Sequence, residues 1–200
     1  MLDLIIKNGE CYIDGKITKT NIGIQNGKIS IIGDLNNEQS KETIDASNLL
    51  VLPGCMDTQV HFREPGSTNA EDLHTGSKAA IAGGITSVFE MPNTNPPTAN
   101  MKEFNNKLNL AKNRMYSNYA FYFGATPDNS SDLAKLKDLD GCCGVKLFAG
   151  SSTGHLLVDK EEDIEKVFQN TSKVVAVHSE DEEIINLRKK LIEKGNVHTH

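Results

Sequence analysis

Residues 69–91, NAEDLHTGSKAAIAGGITSVFEM, contain a helix signal that is followed at once by a strand signal. Apolar residues at helical spacing continue as far as Ala82, and the pair Gly83-Gly84 after them is typical of a helix end. The seven residues from Ile85 to Met91 are rich in β-branched and aromatic side chains, which favour strands. This stretch therefore predicts a helix that returns the chain to a second strand of the same sheet.

The same alternation continues along the chain. The pattern predicts strands at 49–56, 85–91, 118–123, 143–148 and 174–178, and helices at 69–82, 101–115, 131–139, 160–170 and 179–194. Five apolar strands that alternate with helices predict a parallel sheet covered by helices, either an open doubly wound sheet or a (β/α)8 barrel. None of the strands is followed by a glycine-rich phosphate loop.

The first fifty residues differ from the rest because they contain no helical period. Short apolar runs are separated by turn signals, of which Asn8-Gly9 and Asn26-Gly27 are typical of hairpins. We therefore predict two domains, a small antiparallel β domain at 1–50 and an α/β domain at 51–200.

Composition excludes several classes of protein. The 200 residues are 38% apolar and 24% charged, which argues against disorder, and a net charge of −6 argues against a nucleic-acid partner. No apolar run reaches the length of a membrane span, and the first ten residues lack the features of a signal peptide. The four cysteines form no C-x-x-C pair, so we expect free thiols, a cytoplasmic location, and no membrane association.

Polar side chains of chemical interest follow the first predicted strand of the larger domain. Gln59 and His61 are two residues apart, so on a strand they face the same side, and Asp57 begins the same row. Histidine is a common zinc ligand, and Arg63 is suited to bidentate capture of a carboxylate. The alternative is a structural histidine beside a surface ion pair.

Three later residues stand at comparable places. Asn93 lies in a proline-rich loop, where it can bond a polar ligand or serve only in a rigid turn. Lys146 lies within an apolar strand, where burial lowers the pKa of the amine and lets it react with carbon dioxide to give a metal-bridging carbamate. The alternative for Lys146 is an ion pair with a carboxylate such as Glu90. His178 ends an apolar strand, as a metal ligand or as the first residue of the next helix.

Together these segments resemble the amidohydrolase superfamily and, within it, the dihydroorotases. The resemblance rests on HFREPG at 61–66, MPNTNPPT at 91–98, GVKLF at 144–148 and HSED at 178–181. It implies a metal-dependent hydrolase of the TIM-barrel class, (β/α)8, with a small β domain beside it. It also implies reversible hydrolysis of the cyclic amide of (S)-dihydroorotate to N-carbamoyl-L-aspartate, a step of de novo pyrimidine biosynthesis.

The resemblance also implies roles for individual residues. One or two zinc ions would be bound by His61 and His178 and bridged by a carboxylated Lys146, while Arg63 and Asn93 would hold the substrate carboxylate. The metal would supply the nucleophile and polarise the carbonyl.

Two departures from the family pattern affect these expectations. The family carries Asp-x-His-x-His, whereas here Gln59 replaces the first histidine, and an amide is a weaker zinc ligand than an imidazole. The family's further histidine ligand and its catalytic aspartate come from strands six and eight. A barrel of this type needs about 250 residues, so we expect a fragment with five strands. The catalytic aspartate would then lie beyond His200, and these 200 residues alone would be inactive.

Two other functions stay open from the sequence. One is a related cyclic amidohydrolase, such as an allantoinase or hydantoinase. The other is a non-catalytic dihydroorotase-like partner of aspartate transcarbamoylase, which the glutamine at position 59 motivates. In either case we expect a small-molecule ligand or a protein partner, and a homo-oligomer for the whole protein.

Overall fold

The computed structural model describes residues 1–152 and 154–193, and the chain divides into two compact units. The first unit is Met1–Gly54, and the second begins at Cys55. The predicted end of the last helix at residues 194–195 lies outside the described residues. Every helix in the described ranges is too short or too polar to cross a membrane.

The first unit is one mixed sheet. Its strands are β1 (Leu2–Ile13), β2 (Lys16–Gln25), β3 (Lys28–Gly33), β4 (Ser40–Asp45) and β5 (Leu50–Val51). The path β3-β2-β1 is antiparallel, as predicted, but β4 and β5 pair with β1 in parallel. The expectation of a purely antiparallel sheet is therefore wrong in this detail.

One of the two predicted hairpin turns is present. Asn26 and Gly27 both have positive φ, 52° and 70°, and they connect β2 to β3. Asn8 also has a positive φ, 62°, but the chain does not reverse there; β1 continues, and its register with β2 shifts between Ile6 and Gly9. The Asn-Gly signal thus marks a β-bulge at this position, because the left-handed backbone that asparagine tolerates occurs in some bulges as well as in tight hairpin turns.

The second unit alternates strands and helices. Its strands are β6 (Cys55–Val60), β7 (Ile85–Glu90), β8 (Asn118–Gly124), β9 (Cys142–Phe148) and β10 (Val175–His178). Its helices are α1 (Leu73–Ala82), α2 (Met101–Ala111), α3 (Ser130–Leu133), α4 (Glu161–Asn170) and α5 (Glu182–Glu193), with short 3-10 turns at Ala134–Leu136 and Gly154–Leu156.

The strand order separates the two architectures that the sequence left open. The five strands pair in parallel in their order along the chain, β6-β7-β8-β9-β10. A doubly wound sheet reverses its strand order at a switch point, and this sheet does not. The unit therefore has the topology of the first five strands of a TIM barrel, as the resemblance implied.

The helices are shorter than the periodicity predicted, for local reasons. Helix α1 begins at Leu73 because Asp72 caps it. The carboxylate of Asp72 accepts a hydrogen bond from the backbone N–H of Thr75 at 2.7 Å, and the Thr75 hydroxyl oxygen accepts one from the backbone N–H of Asp72. The predicted helix 131–139 is a single α-turn followed by a 3-10 turn.

The main core lies between the sheet and its helices, and β9 shows how the strands divide their faces. Val145 and Leu147 are fully buried in this core. Lys146 and Phe148 alternate with them and so face the other side of the sheet, which is the inside of a barrel.

Candidate active site

The candidate residues gather at the carboxyl ends of the strands. His61 follows the last residue of β6, Val60, which is level with Glu90 at the end of β7. His178 ends β10 and is level with Phe148, the last residue of β9. Since all these strands are parallel, these ends lie on one edge of the sheet, where TIM-barrel enzymes build their active sites.

His61 and Asn93 are in direct contact. The Nδ1 atom of His61 lies 2.9 Å from the side-chain oxygen of Asn93. An amide oxygen can only accept, so Nδ1 carries the proton and Nε2 keeps a free lone pair. Burial lowers the pKa of His61, the hydrogen bond to Asn93 opposes this shift, and the positive charges of Arg63, Lys146 and Lys107 lower the pKa further. The lowered pKa favours the neutral ring, which is the form that ligates a metal.

The two loops that carry these residues are joined by their backbones. The N–H of Met91 donates to the carbonyl of Val60 at 3.0 Å, and the N–H of Asn95 donates to the carbonyl of Pro65 at 2.9 Å. Gly66 permits this close approach, since an added Cβ would lie 2.7 Å from the Cβ of Asn95. Segments 61–66 and 91–98, which carried the resemblance, therefore form one packed unit.

Arg63 lies at a strained point of this unit. Its φ is +62°, in the left-handed region that non-glycine residues seldom occupy, and its side chain is exposed. The next residue, Glu64, is buried and holds the turn: its carboxylate accepts the N–H of Leu73 at 2.9 Å and two N–H groups of Arg114 at 2.8 and 3.2 Å. The Arg63 side chain is thus exposed on a backbone that the anchored Glu64 holds in place.

Lys146 is buried, with 3% of its surface exposed. Among the described residues no carboxylate pairs with its amine, which lies 4.8 Å from the ring centre of Phe148. Burial lowers the pKa of Lys146. The alternative of an ion pair with Glu90 is not what the structure has, because Glu90 pairs with Lys107 instead.

His178 lies close to Lys146, with the ring of Phe148 in contact with both. The two rings stack with their centres 5.9 Å apart, so Phe148 contacts both the lysine and the histidine. The Nε2 atom of His178 lies 3.4 Å from a carboxylate oxygen of Glu180, and both side chains are about half exposed.

Gln59 is separate from these contacts. It is exposed, and the interaction that fixes it is a backbone one, from its N–H to the carboxylate of Asp57 at 2.9 Å. The register of β6 against β7 shifts between Asp57 and Val60, so the strict alternation that would align Gln59 with His61 is interrupted there.

The donor set contains two imidazoles and a buried lysine. Within the described residues, no three His, Cys, Asp or Glu side chains come together as a metal cluster. A metal site formed by this part of the chain would therefore need a further donor, and Lys146, whose pKa is lowered by burial, could supply oxygen donors once carboxylated.

The sequence did not predict two ion pairs close to the site, one partly exposed and one buried. Glu64 pairs with Arg114, and Glu90 pairs with Lys107, whose side chains are 1% and 0% exposed. One clue to Arg114 was available in the sequence, because arginine occurs only three times in the chain. The clue to Lys107 was its helical spacing from Phe104 and Ala111, which places it on the side of α2 that faces the core.

Comparison with known proteins agrees with this arrangement. The sequence profile of the Amidohydrolase family matches residues 50–200. A dihydroorotase of Methanosarcina mazei is 38% identical over 98% of this chain and 43% of its own length. An allantoinase of Desulfitobacterium hafniense is 40% identical over 74% of this chain and 33% of its own length.

The fold agrees as well. The structure of an L-hydantoinase (dihydropyrimidinase) from Arthrobacter aurescens superposes with a TM-score of 0.91 and 30% identity over 98% of this chain and 45% of that one. The chain thus spans less than half the length of these relatives. The family match over residues 50–200 and the similarity to these relatives show that the chain belongs to the amidohydrolase family.

Proposed function

We propose that the protein containing this chain is a zinc-dependent dihydroorotase. The observation that carries the proposal is the contact of Asn93 with His61, in a unit that also presents the free guanidinium of Arg63. This arrangement suits a substrate that has a free carboxylate near its cyclic amide, as dihydroorotate has. The similarity to dihydroorotases over almost the whole chain supports the same substrate.

Substrate binding would use the amide and the guanidinium together. The oxygen of Asn93 is engaged by His61, so its NH2 group is the part left to donate to a carboxylate. Arg63 adds a bidentate, charge-assisted contact, and its backbone is held by the anchored Glu64. The substrate would thus be oriented with its amide toward His61.

The candidate ligands for zinc are His61 through Nε2, His178, and Lys146 once carboxylated, with Gln59 as a weaker ligand. Bound zinc would act as a Lewis acid on the amide carbonyl and lower the pKa of a water molecule. Burial supports carboxylation of Lys146, because it favours the neutral amine, whose nitrogen attacks the carbon of CO2 and then loses a proton. Asn93 fixes the tautomer of His61 that leaves Nε2 available.

A second candidate is hydrolysis of another cyclic amide. The allantoinase match and the L-hydantoinase fold favour it over functions outside this group. The carboxylate-binding pair Arg63 and Asn93 is the reason that we place dihydroorotate first.

The decisive test is an assay of the purified protein on dihydroorotate, hydantoin and allantoin, with bound zinc measured in the same samples. We expect turnover of dihydroorotate. In Arg63→Gln, the lost charge-assisted bonds should lower kcat/KM by about 10- to 100-fold. Arg188→Gln, the same change at an exposed arginine of α5, serves as the control.

Turnover of hydantoin or allantoin alone would exclude the dihydroorotase. Absence of both zinc and turnover would favour a non-catalytic partner of aspartate transcarbamoylase. We also propose that three further β/α units complete the barrel, as the length of the relatives suggests, and that residues 1–200 alone are inactive. Hydrolysis of dihydroorotate by purified 1–200 would contradict the second point.

A further inference from the structure

Glu90 and Lys107 form an ion pair that is almost fully shielded from water. Glu90 ends β7, and Lys107 reaches it from α2; their side chains are 1% and 0% exposed. The ring of Phe121 covers the amine, with its centre 5.3 Å away. Neither residue has a role in the proposed chemistry.

Stability alone is a poor reason for such a pair. Removing two charges from water is costly, and an apolar pair of similar volume often serves a fold as well or better. Burial raises the pKa of Glu90 and lowers that of Lys107, and each charge opposes the shift of the other. What the pair does provide is a fixed position, because Lys107 is bonded to a backbone carbonyl and Glu90 belongs to a strand end whose backbone is paired with β6.

These backbone groups belong to the two segments that carry the site. Lys107 donates to the carbonyl of Met91 at 3.0 Å, at the start of the loop that carries Asn93. On the other side, Glu90 is level with Val60 at the end of β6, and the N–H of Met91 donates to the carbonyl of Val60 at 3.0 Å. Val60 directly precedes His61, so the pair lies at the junction of both segments.

We propose that the Glu90–Lys107 pair is a positioning element that fixes segment 91–93 against segment 61–63, so that Asn93 meets His61 and lies beside Arg63. The pair touches neither substrate nor metal; it acts through the backbone of Met91, which is bonded to Val60 next to His61. The expected effect on substrate binding rests on the proposed function, whereas the expected effect on the backbone of the loop does not.

The test compares variants of the whole protein. The double variant Glu90→Gln/Lys107→Met removes both charges at similar volume and should remain folded. Lys107→Met alone leaves a buried carboxylate without its partner and should be the less stable of the two. Lys102→Met is the matched control, on the same helix with a side chain that is 90% exposed.

The first readout is hydrogen exchange of the backbone, followed by mass spectrometry. In the double variant we expect exchange in residues 91–98, where Asn95 and Thr98 donate to Pro65 and Pro92, to become about tenfold faster. Exchange in β8 should not change. The second readout is kinetic: KM for dihydroorotate should rise about tenfold, while kcat and bound zinc stay near the values of the unmodified protein.

If exchange and KM in the double variant match those of Lys102→Met, the positioning role is overturned and the pair is structural only. If the unmodified protein does not hydrolyse dihydroorotate but exchange in 91–98 is accelerated in the double variant, the positioning role is supported and the proposed function fails. Should the double variant not fold, the apolar pair Glu90→Leu/Lys107→Met, which leaves neither side chain with an unpaired charge, is judged by the same two readouts.

Discussion

Replacing Arg114 by methionine removes the partner that holds Glu64 in place. Two hydrogen bonds are lost, of 2.8 and 3.2 Å, to a carboxylate that is 7% exposed and keeps only the N–H of Leu73 as a donor. A hydrogen bond to a charged group contributes about 1.5–3 kcal/mol. Because the Arg114 side chain is itself 38% exposed, water replaces part of this, and we expect a net loss of about 2 kcal/mol.

The loss is measurable by urea unfolding followed by circular dichroism. With a slope of about 2 kcal/mol per molar urea, the midpoint should fall by about 1 M. Arg188→Met is the control, because Arg188 is exposed, and it should leave the midpoint nearly unchanged. The double variant Glu64→Gln/Arg114→Met should recover about 1 kcal/mol, because a neutral amide costs less to bury than an unpaired carboxylate.

Two results would refute this reasoning. One is a midpoint for Arg114→Met that equals that of Arg188→Met, which would mean that water replaces the arginine without cost. The other is strict additivity in the double variant, which would mean that the two side chains do not interact.

Three further predictions concern other contacts near the site. Asp72→Ala should lower the free energy of unfolding by about 1 kcal/mol through loss of the α1 cap, and Asp72→Asn should lower it less. Hydrogen bonds lower the pKa of Asp72, so the stabilisation by its carboxylate is present at neutral pH and is lost only as the pH falls below the carboxyl's ordinary range. Gly76→Ala should lower the free energy of unfolding, measured in urea, by about 1–3 kcal/mol because the added Cβ would overlap the ring of Phe62. Gly83→Ala, where the nearest atom would be 3.5 Å from the added Cβ, should lower it clearly less. Gln59→His should slow the loss of zinc to a chelator by about tenfold, since imidazole is the stronger ligand; an unchanged rate would show that position 59 does not reach the metal.

The candidate site was predictable in outline because its residues follow a local rule. His61, Asn93 and His178 lie at or after the end of an apolar strand, and parallel strands bring such ends together wherever the strands pair. This rule made these three residues candidates without knowledge of any contact, whereas Lys146 became one because it lies within an apolar strand. It did not show which of them touch, because contacts between loops depend on the packing of several segments at once.

The pairing of buried charges shows most clearly what the sequence pattern could not predict. A lysine within an apolar strand and a glutamate at the end of another strand suggested a partnership of Lys146 with Glu90. In the structure Glu90 forms its ion pair with Lys107 of α2, and no carboxylate among the described residues pairs with Lys146. Burial of Lys107 on the core-facing side of α2 follows from helical spacing, but its partner follows only from how α2 lies against β7.

The periodicity of the chain by itself determined an α/β unit preceded by short strands, and the strand-end motifs indicated the amidohydrolase family. Both are encoded over a few residues, where spacing alone decides which side chains share a face. The tertiary structure decided the strand order that distinguishes a barrel from a doubly wound sheet, and the bulge at Asn8 where a turn was expected. It also decided the contact that gives His61 its tautomer. These depend on hydrogen bonds between residues more than ten positions apart, which no local pattern specifies.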